Sequence, residues 1–83
     1  MDSINSKMIT TNEIIKDGIL EIMFTEQEHH NKYYTITCEK GSEIMKGKIA
    51  GFTQRTCLYI GEFKKGIYTI KIDDQETKIF QVV

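Results

Sequence analysis

Proline and tryptophan are absent from these 83 residues, and there is no excess of basic charge. Without proline there is no proline-rich linker, and a chain of this length has room for one small domain only. Eleven basic residues stand against twelve acidic ones, and a net charge of −1 argues against a general nucleic-acid binder. No apolar run approaches the roughly 18 residues of a membrane-spanning helix. The first residues have no signal-peptide pattern, so we expect a cytosolic protein or one whose leader has been removed.

Cysteine is also scarce, with only Cys38 and Cys57 present. Their spacing matches neither a CxxC motif nor a zinc-finger pattern. A bridge between them would stabilise the fold by about 3 kcal/mol in the chain-entropy model. The alternative, which we favour, is two free thiols that pack as small hydrophobic side chains.

The sequence does contain segments in which apolar and polar residues alternate with a period of two. In "ILEIMFT" the apolar residues Leu20, Ile22 and Phe24 share one side, and "YYTITCE" and "IYTIKI" alternate in the same way. We predict seven short strands, near residues 8–15, 19–25, 33–39, 43–50, 56–60, 67–73 and 77–83. The segments "EKGS" and "DDQE" predict tight hairpin turns. The first strand is the least regular, and "TNEIIKDGI" could instead form a helical turn.

Short strands at this spacing predict an all-β fold, a single antiparallel Ig-like β-sandwich over residues 1–83. Residues 1–11 are expected to form a loosely ordered N-terminal segment. The predicted inward-facing residues are Leu20, Ile22, Phe24, Tyr34, Ile36, Leu58, Ile60, Tyr68, Ile70, Ile72 and Phe80.

The segment "EFKKGIYTIKID" (residues 62–73) predicts a tyrosine corner. Gly66 is followed two residues later by Tyr68, at the start of the penultimate strand. In such a corner the ring packs inward and the hydroxyl bonds back to the preceding backbone. Lys64 and Lys65 would then lie exposed in the loop before the strand.

A polar loop at residues 25–32 contains the one metal-like cluster, formed by Glu26, Glu28, His29 and His30. Imidazole and carboxylate groups are zinc ligands. However, adjacent histidines on an extended chain point in opposite directions, and there is no third histidine. We therefore expect a solvated loop and no metal or other cofactor.

Catalytic groups are not arranged as enzyme chemistry requires. A nucleophilic cysteine needs a base and an orienting group, and Cys38 lies in the inward phase of its strand. The segment "GKIAG" lacks the strand–loop–helix setting of a phosphate loop. We expect no enzymatic activity.

Aromatic residues offer a further alternative. Tyr33, Tyr34 and Tyr59 beside Lys46 and Lys48 could stack on RNA bases. The same residues also form ordinary cross-strand pairs. Because the chain has no net positive charge, we expect no nucleic-acid partner.

The C-terminal part, "YTITCEKGSEIMKGKI" and then "LYIGEFKKGIYTIKIDDQETKIFQVV", resembles the small β-sandwich that ends Bacteroidota proteins exported by the type IX secretion system. Gly41 lies at the turn, Phe63 in the place of a leucine, and Gly66 and Tyr68 at the family's signature. The closing strand of the pattern contains Lys78, Ile79, Phe80 and Val82. Related small secreted Ig-like sandwiches share this pattern. The resemblance implies a sorting or attachment domain of a secreted or cell-surface protein.

Together these features predict a non-catalytic protein-recognition module, of the secretion-sorting or surface-attachment kind. The expected contacts to a protein partner are Lys64, Lys65 and Gly66 in the loop and Lys78 and Phe80 in the last strand. We expect the last strand to be a sheet edge that can pair with an incoming strand. The alternative is a small cytosolic adaptor or inhibitor that docks on an enzyme or complex. The sequence leaves the partner's identity and the oligomeric state open.

Overall fold

Eight β-strands account for most of the chain in the computed structural model, which describes residues 9–26 and 28–83. No helix occurs in these residues, so the all-β prediction is confirmed. The strands are β1 (Ile9–Thr11), β2 (Ile14–Ile15), β3 (Ile19–Phe24), β4 (Lys32–Cys38), β5 (Glu43–Ile49), β6 (Arg55–Tyr59), β7 (Gly66–Ile72) and β8 (Glu76–Val82). Within the same residues no helix is long and apolar enough to cross a membrane.

The strands form two sheets with an immunoglobulin-like order. One has three strands in the order β1-β3-β6, and the other has five in the order β2-β8-β7-β4-β5. Apolar residues from both sheets meet in one core, as in a β-sandwich. The antiparallel prediction holds for every pair except β2 and β8, which run parallel.

The predicted strand 8–15 is wrong as one element, because its two parts belong to different sheets. Thr11 pairs with Ile22 of β3, whereas Ile14 and Ile15 pair with β8 in the other sheet. The Asn12 side chain takes over the hydrogen bonds at this point. Its Nδ2 donates to the Ile19 carbonyl at 3.0 Å, and its Oδ1 accepts from the Glu21 N–H at 2.9 Å. The Asn12 side chain thus satisfies two backbone groups of β3 that have no partner from β1 at this point.

The predicted helical-turn alternative for this segment is not found either. Of the expected loosely ordered segment 1–11, residues 9–11 form β1, and residues 1–8 lie outside the described residues.

The core agrees closely with the predicted inward-facing set. Eight of the eleven predicted residues are buried, and Phe24, Tyr34 and Leu58 are half-buried and pack against them. The prediction missed four further apolar residues, which are Ile9, Ile15, Ile49 and Val82.

Lys32 is the one charged residue among the buried residues of the described chain, with 4% exposure. It pairs with Ile49 on the core side of the five-stranded sheet. Its ammonium group donates to Glu28 Oε1 at 2.6 Å and lies 5.6 Å from the centroid of the Phe24 ring. The hydrogen bond and charge of Lys32 lower the pKa of Glu28 below its ordinary value. A buried cation is tolerated because a carboxylate and an aromatic face compensate it.

Both predicted hairpin turns are present. Residues 39–42 join β4 to β5, with Gly41 at φ +87°. Residues 73–75 join β7 to β8, with Asp73 and Asp74 at φ +52° and +56°. Two successive positive φ values are typical of a type I′ turn, which aspartate tolerates better than most residues. Asp73 also accepts the Tyr33 N–H on Oδ1 at 2.8 Å, which ties this turn to β4.

Candidate functional site

The predicted tyrosine corner is confirmed. The Tyr68 hydroxyl donates to the Lys64 carbonyl at 2.7 Å, and the residue is 8% exposed. Its ring lies 5.0 Å from Phe63 and 5.7 Å from Phe80, centroid to centroid. Gly66 begins β7 at φ +154°, a conformation that residues with a side chain rarely adopt. The loop between β6 and β7 is therefore fixed to the core by one aromatic residue.

A groove lies between this loop and the β4–β5 hairpin, and we call it the corner groove. Its volume is about 730 Å³, and residues 38–40, 44–45 and 62–68 line it. Ile44, Met45, Phe63 and Ile67 supply apolar surface. A smaller cavity of about 370 Å³ adjoins it and shares Phe63 with the corner groove.

Charged residues form the rim of the corner groove. Three lysines, Lys40, Lys64 and Lys65, and two glutamates, Glu39 and Glu62, are exposed there. Because the tyrosine corner fixes the loop backbone, Lys64 and Lys65 project from a rigid support. Apolar walls with a charged rim are the usual composition of a protein-recognition surface.

Cys38 lies in the wall of the corner groove, half-buried and packed against the core. Hydrogen bonds from the backbone of Lys40, and next from that of Ser42, lower the pKa of its thiol below the ordinary value. Both cysteines are free, as we favoured. The expected packing as a small hydrophobic side chain holds for Cys38 but not for Cys57, which is exposed on β6. Cys38 and Cys57 belong to different sheets.

The five predicted contact residues do not form one surface. Lys64, Lys65 and Gly66 lie together at the corner groove. Phe80 does not reach the surface, because it is 1% exposed and packs against Tyr68. Lys78 is half-buried on β8, opposite Ile70.

The last strand, β8, is an edge over part of its length only. It pairs with β7 throughout, and β2 covers it at Gln81 and Val82. The interpretation of residues 78–83 as an open pairing edge therefore does not hold at Gln81 and Val82.

Three members of the predicted metal-like cluster, Glu28, His29 and His30, lie close together. His29 and His30 have perpendicular rings 5.9 Å apart, and His30 Nε2 lies 3.5 Å from Glu28 Oε1 and 4.0 Å from Asp73 Oδ2. Within residues 9–26 and 28–83, no group of three or more His, Cys, Asp or Glu side chains could hold a metal ion.

The tyrosines do not form one stacking platform. Tyr33 is 58% exposed on β4 of the five-stranded sheet, and Tyr59 is 77% exposed on β6 of the other sheet. Tyr34 packs against the core.

No protein-family model and no curated protein sequence matches this chain. The type IX resemblance therefore stays a prediction. The β4–β5 wall of the corner groove was missed from the sequence, since it depends on contact between the turn at 39–42 and the loop at 60–65, which are separated by the whole of β5 and β6. The two segments lie side by side because β7, which follows the loop, pairs with β4, which precedes the hairpin turn.

Proposed function

We propose that this protein is a non-catalytic protein-recognition module and that the corner groove is its binding surface. The observation that carries the proposal is the combination of an apolar groove with a rigidly supported lysine pair. The tyrosine corner fixes the backbone at Lys64, next to Lys65, before any partner binds. Binding then costs less conformational entropy than it would for a flexible loop.

The chemistry of the groove favours a peptide segment with an apolar anchor next to acidic residues. Ile44, Met45 and Phe63 would contact the anchor, and Lys64 and Lys65 would face carboxylates. Charge of this kind governs association rate and specificity more than total affinity. Apolar burial in the groove supplies most of the binding free energy.

The test is a selection of displayed random peptides on the purified protein. We expect enriched peptides to combine an apolar residue with Asp or Glu, and to lose at least about tenfold in affinity, or 1.4 kcal/mol, against K64E/K65E. The matched control is K46E/K48E, which reverses two exposed lysines on β5 outside the groove. Equal binding to both double variants would overturn the proposal.

A secretion-sorting role is a finer form of the same proposal. Gly66 and Tyr68, which carry the type IX resemblance, also support the groove. Residues 1–83 fused behind a reporter with its own leader, in a Bacteroidota host with a type IX system, test it directly and keep β1 and its buried Ile9 in place. Reporter at the cell surface or in the medium supports sorting, whereas reporter held in the periplasm refutes that role and leaves the groove test unaffected.

A further inference from the structure

Among residues 9–26 and 28–83, no strand pairs with the outer side of β6, which is therefore an open edge of the three-stranded sheet. It pairs with β3 on one side, where the Ile60 N–H donates to the Gly18 carbonyl at 2.8 Å. In an antiparallel pair, backbone groups alternate between the two sides of a strand. The N–H and C=O groups of Arg55, Cys57 and Tyr59 therefore point away from β3, toward the open side.

The other long edge of the sandwich is protected against pairing, whereas β6 is not. Strand β5 carries Lys46, Gly47 and Lys48, and its register with β4 shifts next to Ile36. Charges, glycine and bulges of this kind prevent edge-to-edge association. Strand β6 is "RTCLY", with no lysine, glycine or proline, and its pairing with β3 has no register shift.

The side chains of β6 are also unusually exposed. Tyr59, at 77%, has the highest exposed fraction of the large hydrophobic residues in the described chain. Cys57 is exposed beside it. Arg55 is the only charged residue of the strand, and its guanidinium lies 3.5 Å from Glu21 Oε2.

We propose that two copies of this chain associate by antiparallel pairing of β6 with β6, around a twofold axis at Cys57. The three-stranded sheets of the two copies then join into one continuous sheet. In this register Cys57 meets its own equivalent, and Arg55 lies opposite Tyr59 of the second copy. Thr56 lies opposite Leu58 on the core side.

The register is self-complementary, which is why a second copy fits this edge. Arg55 of each copy meets an exposed aromatic ring, a favourable cation–π arrangement. The two arginines lie at opposite ends of the pair, so no like charges face each other. Arg55, Cys57 and Tyr59 of each copy each contribute one outward-pointing N–H and one C=O group. Together these groups allow about six backbone hydrogen bonds between the copies. An edge contact buries little area, so we expect a weak dimer.

The experiment follows amide exchange by NMR on the reduced wild-type protein at about 20 μM and about 1 mM, a range that brackets a weak dimer. A reductant is kept present because a disulfide between two exposed Cys57 residues would link copies that had met only by chance. We expect the amides of Arg55, Cys57 and Tyr59 to gain protection by about threefold or more at the higher concentration, because exchange occurs through the monomer and the monomer fraction of a weak dimer falls by about that factor. The amides of Lys46 and Lys48 on β5 should not change.

Light scattering on variants provides an independent measurement. C57K places two ammonium groups at the twofold axis, and we expect its mass at about 1 mM to fall from near twice 9.6 kDa to 9.6 kDa. M23K adds the same charge on neighbouring β3, at a residue that is 47% exposed, and should leave the dimer intact.

Three results would overturn the proposal: a monomeric wild type at the higher concentration, a dimer that persists in C57K, or a dimer without protection at the three β6 amides. The last result would place the contact on another face, such as the exposed Ile14 and Ile79 of the five-stranded sheet. Because amide exchange uses the wild type, a folding defect in C57K would not prevent a decision.

Discussion

Removing Tyr68 should show how much the tyrosine corner contributes to the fold. The residue makes two kinds of contact, a hydroxyl bond to the Lys64 carbonyl and ring packing against Phe63 and Phe80. Y68F deletes only the hydroxyl, and a hydrogen bond of this kind contributes about 0.5–1.5 kcal/mol. Y68A also removes a buried ring, and such substitutions cost about 3–5 kcal/mol.

These costs are large for a domain of this size. At about 0.05–0.15 kcal/mol per residue, 83 residues give a total stability of about 4–12 kcal/mol. Y68A should therefore remove about a quarter or more of the free energy of unfolding. Y68F should remain folded, with a midpoint in urea lower by about 0.5–1.5 M if the slope is near 1 kcal/mol per M.

Urea unfolding followed by far-ultraviolet circular dichroism measures both variants against the wild type. The control is Y33F, since the Tyr33 side chain is 58% exposed and its change should stay within about 0.5 kcal/mol. If Y68A costs less than about 1 kcal/mol, the ring does not anchor the loop to the core. If Y68F costs as much as Y68A, the hydroxyl bond is the main stabilising contact of the corner and ring packing is not.

Three other predictions concern side chains outside the corner. N12A should lower the free energy of unfolding by about 1 kcal/mol in urea, because two backbone groups of β3 lose their partner; unchanged stability would contradict the role of Asn12 at the strand switch. Lys32 lowers the pKa of Glu28, so the stability from this pair is fully present above pH 4.5 and is lost as pH falls through the lowered value. The stability difference between wild type and E28Q should therefore shrink on acidification below pH 4.5, and a constant difference from neutral pH to about pH 3 would refute the effect of Lys32 on Glu28. In a C57S background, iodoacetamide should alkylate Cys38 with a pH midpoint below 9.0, and a midpoint at or above that value would contradict the lowered thiol pKa.

The sequence predicted those parts of the fold that depend on local pattern. Alternation placed Ile22, Ile36 and Ile70 in the core because each belongs to a strand with one buried face. The spacing of Gly66 and Tyr68 located the corner, since both its conformational requirement and its hydrogen bond lie within five residues.

The features that were missed depend on contacts between distant segments. Residues 8–15 have no regular alternation, and nothing in their pattern shows that the chain changes sheets at Asn12. Lys32 occupies the inward phase shared by Tyr34 and Ile36, but its charge concealed this, because only the fold shows that Glu28 compensates it. Phe80 was assigned both to the core and to a contact surface, and its burial decides for the core.

The parallel pairing of β2 with β8 has a mechanical consequence. The Gln81 N–H donates to the Glu13 carbonyl at 2.8 Å, and the Val83 N–H donates to the Ile15 carbonyl at 3.0 Å. When residues before β2 and after β8 are pulled in opposite directions, parallel strands slide along each other, so these bonds bear the force together instead of opening one by one. Under such a pull, β2 can separate from β8 only when both bonds break together.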